Sequence, residues 1–188
     1  MADTLFETAR LRLRNWDEAD IRPFMERVNT PGVMRWLGGV QDEAAFRDAY
    51  ERLKGFQRDY GHTFWIVERR EDGEMLGFCG LKRTNAPESS FVGDFEIGWR
   101  FAESAQGQGY AREAAERALQ AAFETYDAPL VVALTVIQNE PSWRLMEKLG
   151  MERRPDLDFV DARWGPDICN TIVYAITREA WTKRGRAR

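Results

Sequence analysis

The stretch Gln106-Gly107-Gln108-Gly109-Tyr110-Ala111 carries the clearest chemical signal in the sequence. A strand pattern runs into it and a helix pattern begins at its end. Glycines at a helix N-terminus leave several backbone N–H groups uncovered, and the helix dipole adds partial positive charge. That combination suits a phosphate or pyrophosphate. A P-loop would need Gly-Lys-Ser/Thr, whereas Gly109 is followed by Tyr110 and Ala111. A dinucleotide fingerprint would need a third glycine where Arg112 stands, and no acid closes a second strand at the expected distance. An isolated Gly-x-Gly is also compatible with a turn that binds nothing, so the flanking elements must decide.

Those elements are legible. Arg10–Arg14 alternates with period two and predicts a strand. Ile21, Phe24, Met25 and Val28 predict a helix ended by Thr30-Pro31-Gly32, and a second helix is expected from about Asp42 to Tyr60. Phe64–Val67 and Met75–Leu81 predict a hairpin across Asp72-Gly73. Phe91–Phe101 reads as one long strand region. Ala111, Ala114, Ala115, Ala118, Leu119 and Ala122 form the apolar stripe of the helix after the glycine loop. Leu130–Ile137 is a continuous apolar run, the pattern of a strand buried on both faces. Asn139-Glu140-Pro141 opens a fourth helix with Asn at the cap, and Gly150 stops it. Thr171–Ile176 is the last expected strand. The order is a meander followed by strand–helix–strand–helix.

Composition narrows the function classes. The 188 residues are 44% hydrophobic and 31% charged, a globular composition. A single domain is expected over 1–188, with its core at about 8–178 and a basic, frayed tail at 183–188. The net charge of −4 gives no basic face for nucleic acid and no attraction to anionic membranes. It favours a cationic small partner by steering alone. Two separated cysteines, Cys79 and Cys169, exclude a disulfide scaffold and a four-thiolate zinc site. His62 is the only histidine, which excludes multi-histidine metal sites. As a general base it competes with a plainer reading, a partly exposed residue before a strand. The opening Met1-Ala2-Asp3-Thr4 is unlike a signal peptide and no run of about 20 apolar residues exists, so a cytoplasmic location is expected.

The blocks around the loop resemble the GCN5-related N-acetyltransferase (GNAT) superfamily. Gln106, Gly109 and Ala111 match its Gln/Arg-x-x-Gly-x-Gly/Ala motif. Glu96-Ile97-Gly98-Trp99 resembles its preceding strand, and Asn139-x-x-Ser142 with Glu147-Lys148-Leu149-Gly150-Met151 its next strand–helix block. Within the superfamily the RimJ/RimL-like ribosomal-protein N-acetyltransferase branch is most similar. The resemblance covers essentially the whole chain; Met151 departs from it, standing where an aromatic is commoner.

This resemblance implies a mixed-sheet α/β (α+β) acyl-CoA N-acyltransferase fold of about seven strands and four helices. It implies acetyl transfer from acetyl-CoA to a primary amine, a protein N-terminus or a small molecule, by direct attack in a ternary complex without a metal. The amides of Gln108, Gly109, Tyr110, Ala111 and Arg112, within the loop opened by Gln106 and Gly107, would hold the pyrophosphate. Ile97, Gly98, Trp99 and Arg100 would lie along the pantetheine arm. Asn139 would bond that arm, with Ser142 near the sulfur. Glu96 would be the base, with Asp94 and Glu103 as fallbacks, and Ser142 would stabilise the leaving thiolate. Glu96 as a plain polar strand residue and Ser142 as a helix-terminus residue bonding nearby backbone are the competing readings. Trp36, Trp65 and Trp99 are expected in the core, and Trp164 near the substrate mouth. A non-catalytic acyl-CoA sensor and a small dimerisation domain are the alternatives. A monomer or homodimer fits either enzyme or sensor.

Overall fold

The computed structural model describes residues 3–186. By backbone contacts the chain divides into two compact units, Met1–Lys82 with Gly98–Ala118, and Arg83–Ile97 with Leu119–Arg188. Among the described residues the fold is a mixed α/β arrangement with nine strands and six α-helices.

The first unit holds β1 (Thr4–Glu7), β2 (Leu11–Arg14), β3 (Phe64–Arg69) and β4 (Met75–Arg83, as far as Lys82), followed in strand order by β5 (Phe95–Phe101, from Gly98). Neighbours from β1 to β4 run antiparallel. Helices α1 (Ile21–Val28), α2 (Pro31–Met34) and α3 (Glu43–Tyr60) lie between β2 and β3 in sequence. Asp42 caps α3 by accepting from the Ala45 N–H, and Gly61 ends it in the left-handed region, as the sequence pattern predicts. The core of this unit is aromatic. Phe24 is fully buried and stacks on Phe78 and Phe46, with ring centroids 5.7 and 5.3 Å apart. Trp16 joins them and donates its indole N–H to the Phe64 carbonyl at 2.6 Å.

The second unit takes the start of β5, then β6 (Leu130–Val136), β9 (Asn170–Thr177) and β7 (Glu152–Arg153), with β8 (Phe159–Val160) also on β9. β5 and β6 are parallel through Phe95–Val131 and Glu96–Val132 only. β6 and β9 are antiparallel over seven pairs. Phe91, Val132, Val173 and Ala175 form this unit's core. Helix α5 (Glu140–Lys148) buries Met146, and α6 (Arg178–Arg186) follows β9. Helix α4 (Tyr110–Glu124) runs through both units, and Ala114, Ala115, Ala118, Leu119, Ala121 and Ala122 on it are fully buried.

Several expectations need correction. The strand region expected from Phe91 starts at Phe95, because Phe91–Asp94 is a turn in which the Gly93 N–H donates to the Thr84 carbonyl. Thr30-Pro31-Gly32 does not simply end α1: the Thr30 hydroxyl caps α2 by accepting from Val33. The two extra helices are α2 and α6, and β7 and β8 are two-residue pairs that period-two reading cannot register. The basic tail is not frayed as far as Arg186. Lys183 pairs with Glu179, and Arg184 donates to the Lys148 and Leu149 carbonyls at the end of α5. Ala187 and Arg188, like Met1 and Ala2, lie outside the described residues.

Candidate functional site

The candidate residues divide between the units. Gly98–Arg112 belong to the first, and Glu96, Ile97, Asn139 and Ser142 to the second.

In the first unit, Gly107 and Gly109 sit at φ +73° and +81°. A side chain at Gly107 would meet open space, and one at Gly109 only the end of Arg10, at 3.4 Å. The glycines are therefore required by conformation and by open access, not by crowding. Among the described residues, none accepts a hydrogen bond from any backbone N–H between Gly107 and Arg112. These six donors are gathered at the start of α4, where the dipole is positive. Arg112 adds a cation there and pairs with Glu116 one turn on.

The loop is held from behind. Gln106 donates to the Phe101 carbonyl and Gln108 to the Ser104 carbonyl. The Arg10 guanidinium donates to the Gln108 carbonyl at 3.0 Å. Glu113 fixes Arg10 in turn: its carboxylate accepts from the Thr8 hydroxyl at 2.6 Å, the Arg10 N–H at 2.9 Å and Arg10 Nε at 2.6 Å. Sequence reading passed over Glu113 as a residue on the polar face of α4. Its partners lie more than 100 positions earlier in the chain, so helical periodicity held no signal for them. Beside Tyr110, a cavity of about 380 Å3 is lined by Arg10, Arg12, Arg69 and Arg70. Glu71 lines it too, and the arginines are already paired, Arg10 with Glu113, Arg12 and Arg70 with Glu7, and Arg69 with Asp72 and Glu74.

Burial alone would raise the Glu113 pKa, but the donors from Thr8 and Arg10 outweigh it and hold it below its usual value. A depressed carboxylate stabilises the fold above the unfolded-state value and loses that contribution as pH falls through the carboxylate range. Glu113→Ala is expected to cost about 2 kcal/mol at neutral pH, with the difference from wild type shrinking under acid, measured by urea unfolding at pH 7 and pH 3.5. An unchanged difference at the two pH values would refute the electrostatic part.

In the second unit, Glu96 is 9% exposed and pairs with Val132 on β6. Its charge acts on the Arg163 guanidinium, whose pKa is raised first by its hydrogen bond to Asp161 and further by Glu96. Asp161 is buried and organises the following loop: it accepts from Arg163 N, Nε and Nη2 and from the Trp164 indole. Trp164 is 36% exposed on that loop. Sequence reading singled out Trp164 and missed Asp161, whose importance lies in which donors the loop turns toward it.

Asn139 occupies the N-cap position of α5 yet makes no side-chain cap bond. This corrects the expected Asn cap, since a backbone at φ −85°, ψ 64° is not the extended form that aims the side chain at the first turn. The Ser142 hydroxyl likewise makes no hydrogen bond to a described residue; only its N–H is used, to the Asn139 carbonyl. The reading of Ser142 as a residue bonding nearby backbone is not what the structure shows. Both side chains thus present unused polar groups at one helix start.

Ile97 is buried, while Gly98, Trp99 and Arg100 are partly buried along β5 beyond the two-pair parallel ladder. Gly98 has no room for a side chain, because a Cβ there would meet the Phe64 ring at 2.6 Å. Of the fallback bases, Glu103 accepts from the Thr30 hydroxyl, and Asp94 is partly buried in the turn before β5. His62 is not partly exposed as expected but fully buried, with Nδ1 3.0 Å from the Leu81 carbonyl. Cys79 is buried and its thiol is pushed up by desolvation, so it is no nucleophile. Trp65 is fully buried, whereas Trp36 and Trp99 are only partly so.

A mixed sheet whose strand β5 leads into a glycine-rich loop and the start of α4 is the architecture of the acyl-group transferases. The sequence matches the family described as "Acetyltransferase (GNAT) domain" over residues 10–152, and the chain belongs to that family of acetyltransferases. The uncharacterized N-acetyltransferase YnaD of Bacillus subtilis (strain 168) is 28% identical over 93% of this chain and 97% of its own. The crystal structure of an acetyltransferase from Agrobacterium tumefaciens str. C58 superposes with a TM-score of 0.73 at 28% identity, over 94% of this chain and 95% of that one. A spermidine N-acetyltransferase from Vibrio cholerae, solved in complex with CoA and spermine, shares the fold at 17% identity, with a TM-score of 0.72 over 93% and 99% of the chains. Among the described residues, no helix is long and apolar enough to cross a membrane.

Proposed function

We propose that residues 1–188 form one N-acetyltransferase domain that moves the acetyl group of acetyl-CoA directly to a primary amine in a ternary complex. The observation that carries this reading is the loop itself, with six adjacent amides at a helix start that find no acceptor among the described residues and open surroundings at Gly107 and Gly109. Pyrophosphate fits that donor set. The backbone from Ile97 to Arg100, past the parallel ladder, is the edge along which a pantetheine arm adds like a strand. Asn139, whose side-chain amide finds no partner among the described residues, is the partner for that arm.

The chemistry needs a neutral amine. Deprotonating a lysine amine at pH 7 costs about 4.6 kcal/mol, an α-amine only about 1.4 kcal/mol. An α-amine therefore asks little of the base, and the buried Glu96 supplies it directly or through water. The departing thiolate accepts a hydrogen bond from Ser142, whose hydroxyl is uncommitted. The α-amine of a protein N-terminus, as in the RimJ/RimL-like branch, and a small-molecule amine both satisfy this arithmetic. The preparation is expected to be cytoplasmic and to need no metal.

Calorimetric titration with acetyl-CoA followed by a thiol-release assay over amines and peptides tests the proposal. Micromolar binding with turnover on at least one amine is expected. Binding without turnover on any amine would make the protein a sensor, and absence of binding would remove both readings.

A further inference from the structure

A ring of bonds in the first unit encircles Gly109, and one member of it comes from 98 positions before the loop. Arg10, just ahead of β2, donates from Nη1 to the Gln108 carbonyl at 3.0 Å and from Nε to Glu113 Oε2 at 2.6 Å. Glu113 closes the ring from α4: its backbone N–H donates to the Gly109 carbonyl at 3.1 Å. Arg10 thus grips the peptide unit before Gly109 and Glu113 the unit after it, and an ion pair joins the two grips.

In a planar trans peptide the C=O and the N–H of one unit point in opposite directions. The Gln108 carbonyl and the Gly109 N–H belong to one such unit. Fixing that carbonyl on Arg10 turns the Gly109 N–H to the other side, where no described residue accepts it. Gln108 stands before the first residue of α4, so the helix ladder does not set this plane. Arg10 is itself held in advance. Its N–H donates to Glu113 Oε1 at 2.9 Å, its carbonyl accepts from the Arg70 N–H at 2.9 Å, and its Cζ lies 4.5 Å from the centre of the Tyr110 ring. The neighbouring cations serve other ends: Arg12 pairs with Glu7 at 3.1 Å, and Arg69 with Asp72 and Glu74.

We propose that Arg10 is a positioning residue for the diphosphate of acetyl-CoA: it aims the Gly109 N–H outward, and acetyl-CoA affinity depends on that bond and not on the arginine's charge alone. The inference rests on the acetyl-transfer reading above. Arg10 acts through the Gln108 peptide and needs no contact of its own with the diphosphate.

Arg10→Met, Arg10→Lys and Arg12→Met are compared with wild type by calorimetry with acetyl-CoA. Arg10→Met is expected to bind about tenfold more weakly, the scale of one charge-assisted hydrogen bond. Arg10→Lys keeps the charge but not the rigid fork that spans Glu113 and the Gln108 carbonyl, so a loss of about threefold is expected. Arg12→Met removes an equal charge two residues away and is expected to stay within about twofold of wild type at about 0.15 M salt. Equal losses in Arg10→Met and Arg12→Met, or full affinity in Arg10→Lys, would assign the effect to charge and overturn the proposal.

Losing the Glu113 pair also weakens the fold, so two further readouts separate damage from positioning. S-acetylpantetheine carries the thioester and its arm without the diphosphate. Its kcat/KM as donor is expected to be unchanged in Arg10→Met while that of acetyl-CoA falls; a parallel fall on both donors would show general damage and overturn the proposal. In ¹H–¹⁵N spectra titrated with CoA, which need no turnover, the Gly109 amide is expected to shift in wild type and to respond less in Arg10→Met, with the rest of the spectrum dispersed. A Gly109 amide that ignores CoA in wild type, or responds equally in both proteins, would overturn the proposal. Failure of wild type to bind acetyl-CoA would count against the transferase reading itself. Wild-type binding with no loss in Arg10→Met would count against this inference alone.

Discussion

Gly109→Trp is expected to abolish acetyl-CoA binding while the protein stays folded. Gly109 sits at φ +81°, where an L-residue costs about 1–2 kcal/mol. Its surroundings are open apart from the end of Arg10, so the indole meets no core and projects over the exposed amides. Two effects then coincide: the backbone relaxes away from the αL form that aims the N–H groups, and a bulky ring stands where the anion would lie. The loss is expected to exceed about 100-fold in Kd, read by calorimetry beside a circular-dichroism control. Gly109→Ala, which adds conformational strain but little bulk, is expected to fall between wild type and Gly109→Trp. Retention of wild-type affinity by the Trp variant would move the pyrophosphate off this loop.

Glu96→Gln is expected to act on the other half of the reaction. Glutamine keeps the size and hydrogen-bonding capacity of the buried carboxylate but cannot take a proton at neutral pH. If Glu96 receives the amine proton, kcat falls by about 10²–10⁴ while the acetyl-CoA affinity stays within error. Ser142→Ala, which removes a hydroxyl with no partner among the described residues and proposed to meet the leaving thiolate, is expected to give a smaller loss of about tenfold in kcat. The ordering matters as much as the size. A non-catalytic acyl-CoA sensor would show neither loss, and a Glu96→Gln variant with full turnover would remove Glu96 as the base.

Much of this protein was written in local pattern. The Asp42 and Gly61 boundaries of α3, the hairpin across Asp72-Gly73, the small-residue stripe of α4 and the apolar run of β6 all follow from periodicity and capping, which depend on neighbours a few residues away. The glycine loop and its flanking blocks also lie within one continuous stretch, so the uncovered amides and the family resemblance were legible together.

What the sequence could not supply are relations between residues far apart along the chain. Glu113 reaches back to Thr8 and Arg10, and Arg10 to Gln108, across about a hundred positions. Asp161 matters because a loop turns Arg163 and Trp164 onto it. His62 read as partly exposed because its neighbours are polar or small, yet the Leu81 carbonyl covers it. Arg14 and Arg100 are the same residue type on similar strands, and only the fold decides that Asp20 and Glu68 surround one while Phe78 stands beside the other. Element type is settled by short-range propensity and periodicity. The compensation of a buried charge is settled by whichever distant side chains tertiary packing brings to it.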